Sequence, residues 1–401
     1  MRKCILFVVS IWLIQLTILA QSRVIEISPE QGKDNENLML ALEKAAGYKG
    51  KPVTVRLSPG IYELDRSKST QVLYHISNTT SESEDPDPTK HIGLYLHSLK
   101  NITIDGCGST LQMNGEMTSF VLDRCEGIIL KNLNIDYKHP TQTEVEVLEE
   151  GKDYLIVQVH PTSQYRIVDE QLEWYGDGWS FKNGIAQSYD RASNMTWRSW
   201  SPMENLIRAV ELRPNVLYLQ YKEKTQVGLH IVFQMRDSFR DEVSGFVNRS
   251  KNVQLENLNF YYLGNFGVVC QYSENVTFDR CNFAPRPDSG RTNAGFADFI
   301  QVSGCRGMID IRNSRFSGAH DDPINIHGTH LRVTEFLSPN RLKVRFMHDQ
   351  TFGFEAFFKG DDIELVDPLS LLAVEKAKVK EAKLVTPREM ELTLSGPLSP
   401  E

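Results

Sequence analysis

Asn252-Val-Gln-Leu-Glu-Asn-Leu-Asn-Phe260 and Asn275-Val-Thr-Phe-Asp-Arg-Cys-Asn-Phe283 are one pattern written twice. Apolar side chains alternate with polar ones, Asn257 or Arg280 breaks the run, and an aromatic ring returns inward. Alternation at period two is the mark of a β-strand. The pattern also runs through Asn101-Ile-Thr-Ile-Asp-Gly-Cys107, Gly127-Ile-Ile-Leu-Lys-Asn-Leu-Asn-Ile135 and Ile309-Asp-Ile-Arg-Asn-Ser-Arg-Phe316. Its first apolar residues, Ile102, Ile128, Val253, Val276 and Ile309, are 26, 125, 23 and 33 residues apart. Three of those spacings are single coils of a β-helix. Val121, Phe246, Val269 and Val302 mark a second strand, each seven residues before its unit. Coils with strands in constant order stack into a solenoid lined by like residues, and Asn suits the turns because it tolerates left-handed backbone. The expected fold is all-β: a right-handed parallel β-helix with two inserted small antiparallel β-barrel domains. Two packed β-sandwiches are the alternative, but they do not call for a constant seven-residue offset.

The rest of the chain divides around these coils. Residues 1–20 read as a cleaved signal peptide: basic Arg2 and Lys3, an apolar run from Ile5 to Ala20, then polar Gln21 and Ser22. A membrane anchor would need a longer run. The expected location is therefore secreted or periplasmic, with no membrane span after cleavage. Residues 21–140 are the N-terminal coils, capped by a helix over Asn35–Tyr48 (Leu38, Ala41, Leu42, Ala45) that leads into Val53-Thr-Val-Arg-Leu57. The 125-residue gap holds the first insertion, 141–235, where Val145, Val147, Leu155, Val157 and Val159 alternate without a coil repeat. Residues 236–330 are coils carrying the site, and 331–401 form the second antiparallel insertion.

The formal charge of −8 over 401 residues, with no basic run to override it, argues against nucleic acid or an anionic membrane as partner. A neutral substrate fits better. Beyond the signal stand Cys107, Cys125, Cys270, Cys281 and Cys305, an odd number without Cys-x-x-Cys spacing. That pattern suits neither a disulfide framework nor a zinc site, and the thiols are expected to be buried and free.

Asp298-Phe-Ile-Gln-Val-Ser-Gly304 aligns with Asp322-Pro-Ile-Asn-Ile-His-Gly328, 24 residues on. The same register sets Glu242, Asn265, Asp298 and Asp322 in one ladder, and Asp241 and Asp321 in the next. Parallel strands lie about 4.8 Å apart, so Asp298, Asp321 and Asp322 should crowd together. Three such carboxyls cannot all ionise at ordinary pKa, and one that keeps its proton is what acid–base glycoside hydrolysis requires. The structural alternatives are a turn at Asp-Asp-Pro, a capping Asp298, or a Ca²⁺ site; neither metal nor cofactor is expected. Candidate substrate contacts are His320, His327 and Asn325 beside the pair, Glu242 in the ladder, and Arg291 and Asn293 in the loop before Asp298, with Arg286. Trp174, Trp179, Trp197 and Trp200 either stack on a sugar or pack the inserted barrel.

Asn293-Ala-Gly-Phe-Ala-Asp-Phe-Ile-Gln-Val302 and Gly318-Ala-His-Asp-Asp-Pro-Ile-Asn-Ile-His-Gly328 resemble glycoside hydrolase family 110. These are bacterial α-1,3-galactosidases that remove terminal galactose from blood group B-type structures. The likeness runs over the whole mature chain, insertions included. It implies an exo-acting enzyme on neutral galactosides, with linear as well as branched substrates left open. The three aspartates are also arranged as in the polygalacturonases, which share the β-helix and invert, although the NTD and RIK motifs of those enzymes are absent. That likeness implies Asp321 as general acid, with Asp298 and Asp322 positioning and deprotonating water. Family members continue past the second insertion with further coils, so this sequence is expected to stop short of the full enzyme. A β-helix polysaccharide lyase would need a basic residue at the carboxylates, and a non-catalytic sugar-binding solenoid would need aromatic platforms instead of clustered acids.

Overall fold

The computed structural model describes residues 23–223 and 226–399; the expected signal peptide lies outside them. Among the described residues the architecture is all-β except for one helix, Asp34–Ala46, and a single 3-10 turn. Leu38, Ala41, Leu42 and Ala45 are among the helix's buried residues, and they join the core at the N-terminal end of the strands. No helix among the described residues is long and apolar enough to cross a membrane.

Two parallel sheets take strands from the chain in turn. The first contains Arg23–Ile27, Val53–Leu57, Ile102–Asp105, Glu126–Tyr137, Lys251–Phe260, Glu274–Asp279 and Arg306–Arg312, in that order. The second runs Thr89–His97, Thr118–Asp123, Val243–Asn248, Phe266–Gln271, Ile300–Ser303 and Ile324–His327. Like residues stack: Val253 pairs with Ile128 and Val276, and Phe260 with Ile135 and Phe283. The rings of Phe260, Phe283 and Phe316 form a continuous pile, with centroids 4.6 and 5.0 Å apart. Asn101, Asn132, Asn252, Asn257, Asn275 and Asn313 all adopt positive φ. Their amides also ladder between coils, as in Asn257 Nδ2 to Asn132 Oδ1 at 2.8 Å and Asn275 Nδ2 to Asn252 Oδ1 at 3.0 Å. The turn residue thus serves both as hinge and as cross-coil link.

The seven-residue offset does not pick out equivalent positions in the last unit. Val269 pairs with Gln301, and Val302 pairs with Cys270. The extra residue is taken up on the next strand, where the register shifts between Glu274–Arg306 and Val276–Ile309. Gly307, at φ +70°, makes the bulge possible because glycine enters left-handed backbone freely. Val121, Phe246 and Val269 consequently face outward under the segment around Ile76, while Val302 faces the main core. The long ladder of carboxylates is corrected by the same shift: Val243 faces Phe266, but Val268 faces Ile300, so Glu242 and Asn265 fall one residue out of step with Asp298.

Two antiparallel units accompany the parallel sheets, one between their strands and one following Ile324–His327. Thr143–Glu150, Tyr154–Val159, Ile185–Asp190, Met195–Ser199, Leu206–Arg213, Val216–Tyr221 and Ile231–Arg236 form one seven-stranded sheet, with a three-stranded sheet beside it. They enclose a core that includes Val145, Val147, Leu155, Val157, Trp174 and Trp179. Leu331–Ser338, Arg341–Phe346, Asp362–Val366, Ala373–Thr386 and Glu389–Leu394 form the second unit. Among the cysteines, Cys125, Cys270 and Cys281 are buried and Cys305 is half-buried, all free. Cys107 differs from expectation: it sits exposed on a turn beside Asp105.

Candidate active site

Asp298 and Asp322 each stand two residues before a strand of the second parallel sheet, and the register Ile300–Ile324, Gln301–Asn325 brings them side by side. The Phe299 amide donates to the Asp322 carbonyl at 3.0 Å. One carboxylate oxygen from each of Asp298, Asp321 and Asp322 lies within 4.8 Å of the other two. Asp298 is buried, at 3% exposure, while Asp321 and Asp322 are open to solvent. Asn325 Nδ2 donates to Asp298 Oδ2 at 3.0 Å. Burial raises the Asp298 pKa; the negative charges of Asp321 and Asp322 add to it, against the Asn325 hydrogen bond and the Arg240 charge. Oxygens this close lie inside the spacing of both inverting pairs, about 6.5–9.5 Å, and retaining pairs, about 5–5.5 Å. Spacing alone assigns no stereochemistry. Three carboxylate oxygens at this separation also suit a hard cation.

The aspartate segment is held from the first insertion. His320, directly before the pair, is buried. Its Nε2 lies 2.8 Å from Gln234 Oε1 and its Nδ1 2.9 Å from Gln142 Nε2. Its carbonyl accepts from Gln187 Nε2 at 2.8 Å and from Arg198 Nη2 at 3.1 Å. Burial, with the charges of Arg236 and Arg198, drives the His320 pKa well below the ordinary value, so the imidazole is neutral. The Arg198 guanidinium also lies 3.9 Å from Asp321 Oδ2. A basic group therefore does stand at the carboxylates, delivered by the insertion and not by the coils.

Four of the seven candidate substrate contacts are interior, and Arg286 lies half exposed 3.7 Å from Asp136. His320 is the anchor just described. Arg291 Nη2 pairs with Asp136 Oδ1 at 2.7 Å, both buried. Asn293 Nδ2 donates to Glu144 Oε1 at 2.6 Å, and Thr292 also binds Glu144. Glu242 accepts from the His91 amide at 2.7 Å and from Thr118 Oγ1 at 2.5 Å. Its pKa is pushed up to about 8 by burial and by Asp241. The insertion covers His320 and Asn293 through Gln142, Glu144, Gln187 and Gln234, whereas Arg291 and Glu242 are buried against residues outside it. Asn325 and His327 are half-buried on one face of Ile324–His327, while Ile324 and Ile326 on the other are exposed. Trp174 and Trp179 pack the insertion core, Trp200 leans on Tyr221 and Phe233, and Trp197 is exposed next to Arg198.

Residues from distant segments complete the surroundings. Asn78 Nδ2 donates to Gln301 Oε1 at 3.0 Å. Arg240 Nη2 donates to Gln350 Oε1 at 2.8 Å, and Gln350 returns its carbonyl to the Asn78 amide at 2.7 Å. One rung further back, buried Lys90 is ion-paired with Asp241.

Three aspartates gathered beside one parallel sheet are a set that glycoside cleavage can use. Family models described as GLAA-B beta-barrel domain I and GLAA-B beta-barrel domain II match residues 142–230 and 341–401. Alpha-1,3-galactosidase A of Bacteroides thetaiotaomicron is 86% identical over 392 residues, covering 98% of this chain and 69% of that protein. Alpha-1,3-galactosidase A of Bacteroides fragilis is 35% identical, covering 84% and 56%. Alpha-1,3-galactosidase B of Bacteroides thetaiotaomicron is 28% identical, covering 99% and 65%. The chain belongs to this α-1,3-galactosidase family. It spans between about half and two thirds of the length of these relatives.

Proposed function

We propose that the protein is a secreted or periplasmic, exo-acting α-1,3-galactosidase that removes terminal galactose from blood group B-type and linear glycans with inversion. The observation that carries the reading is the convergence of Asp298, Asp321 and Asp322 within 4.8 Å, in a chain 86% identical to a protein named for this activity. The two parallel sheets are then faces of a right-handed β-helix, the domains run 21–140, 141–235, 236–330 and 331–401, and residues 1–20 are a cleaved leader. Asp321, exposed and beside Arg198, gives its proton to the glycosidic oxygen as the bond to the anomeric carbon breaks. Asp298 and Asp322 hold a water, whose oxygen bonds to that carbon and whose proton passes to them. Inversion rests on the likeness to the polygalacturonases. A second assignment has an observation in its favour: Asp298, whose pKa is the raised one, serves as the acid.

The test is incubation with a blood group B trisaccharide and with α-1,3-galactobiose, followed by proton NMR before mutarotation. β-Galactose as first product is the expected outcome. α-Galactose overturns inversion, and no galactose from either substrate overturns the activity.

A further inference from the structure

Four polar side chains form one transverse row across the first insertion. Arg198 is the cross-strand partner of Gln187, Gln187 of Gln234, and Gln234 of Glu144. Their chain neighbours Ala186, Phe233, Met235 and Val145 belong to the insertion core, so strand alternation turns the row toward the coils. There it grips both segments that carry the aspartates. Glu144 accepts from the Thr292 amide at 3.0 Å, from Thr292 Oγ1 at 2.7 Å and from Asn293 Nδ2 at 2.6 Å, six and five residues before Asp298. Gln187 and Arg198 both donate to the carbonyl of His320, which directly precedes Asp321. Gln234 holds both segments: its Nε2 lies 2.6 Å from Thr292 Oγ1 and its Oε1 2.8 Å from His320 Nε2.

The hydrogen bonds along this path can run in one direction only. A carboxylate accepts, so the Thr292 hydroxyl gives its proton to Glu144 and must itself accept from the Gln234 amide. Gln234 Oε1 then accepts from His320 Nε2–H, which fixes the neutral tautomer. Gln142 Nε2 stands 2.5 and 2.9 Å from the two ring nitrogens, and with Nε2 donating it can serve only Nδ1. Glu144, Gln234, Thr292 and His320 are all buried, where apolar packing of the same shape would stabilise the fold about as well. What the polar row adds is direction. It sets the spacing of two segments that are also joined by the Ala294 amide on the Gly318 carbonyl, at 3.1 Å, and the Phe299 amide on the Asp322 carbonyl, at 3.0 Å.

We infer that Gln234 is a positioning residue for glycoside cleavage, its amide holding the segment of Asp298 in register with the segment of Asp321. The inference rests on the galactosidase reading, and the experiment separates the two. Steady-state turnover of α-1,3-galactobiose is measured for the full chain, for Gln234→Met and Thr292→Val, which cut the bridge from opposite ends, and for the double variant. Each single substitution should lower kcat about 10- to 100-fold at nearly constant KM, the order that a misplacement of about 1 Å costs. The double variant should be no slower than the slower single one, because the same bridge is lost only once. Thr292→Ser, which keeps the hydroxyl, should retain the parent kcat. Should Gln234→Met not fold, Thr292→Val against Thr292→Ser carries the same test. Unchanged kcat in either folded variant, losses that multiply in the double variant, a rise in KM matching the fall in kcat, or a Thr292→Ser chain as slow as Thr292→Val would each overturn the inference. An unsubstituted chain that releases no galactose would instead overturn the galactosidase reading beneath it.

Discussion

Arg198 stands 3.9 Å from Asp321, yet the two come from different structural units, one from an inserted antiparallel sheet and one from a turn before a parallel strand. The same guanidinium holds the His320 carbonyl. Insertion and coil thus meet at the carboxylates, and the orientation of Asp321 depends on a segment outside the repeat.

Arg198→Ala should therefore lower kcat about tenfold with little change in KM, because a misplaced catalytic group loses rate before binding. The pair is about half exposed on both sides, so melting should hardly move. Arg198→Lys should restore little, since a point charge cannot reach the carbonyl and the carboxylate together. A variant that melts several degrees lower with unchanged kcat would reduce Arg198 to a structural tie.

Chelation tests the other use of clustered carboxylates. Exhaustive EDTA treatment should leave turnover unchanged if the aspartates act as acid and base. Loss of activity restored by Ca²⁺ would reassign them as ligands.

The core carries a separate prediction. Phe283 is fully buried between Phe260 and Phe316. Phe283→Ala should cost about 3–5 kcal/mol through lost burial and the cavity left behind, read as a lower denaturation midpoint.

Buried acids set the pH dependence of stability. Burial pushes Asp237 and Asp241 up to about 6 and Glu242 to about 8. A carboxyl whose folded pKa lies above its unfolded value near 4 binds more protons when folded, so stability falls as pH rises between those values. The buried neutral His320 gives the opposite slope below its ordinary value near 6.5, so the melting temperature should decline from about pH 6.5 to pH 8, and Glu242→Gln should flatten the decline. A melting temperature that rises over this range would show that these acids ionise without penalty.

What the sequence disclosed and what it withheld have physical reasons. Alternation and turn asparagines are local, so the strands and the pairing of Asp298 with Asp322 were legible. The bulge at Gly307 was not, because one added residue leaves the count from Val302 to Ile309 at seven while Val302 pairs with Cys270 in place of Val269 and Ile309 keeps Val276. Arg291, Asn293 and His320 looked available because a coil alignment cannot show an insertion folded over its own loop. Arg198, Asn78 and Gln350 reach the site from three distant segments, and no spacing along the chain marks them. The Trp197-Arg198 pair in the insertion was the one hint, and it drew attention to the indole.

The division of labour among the three aspartates gives the sharpest test. Burial and its two neighbours raise Asp298, whereas Asp321 is the carboxyl exposed beside Arg198. A general acid matters in proportion to how poor the leaving group is, and its loss typically costs about 10²–10⁴-fold. Asp321→Asn should therefore abolish turnover of α-1,3-galactobiose but retain much of it on a 2,4-dinitrophenyl α-galactoside, whose leaving group departs without a proton. Asp298→Asn and Asp322→Asn, which fail to activate water, should be equally poor on both substrates. If Asp298→Asn proves to be the variant spared on the activated substrate, the proton donor is the inner carboxyl and Asp321 belongs with the water. Steady-state rates on the two substrates for the three variants decide between these assignments.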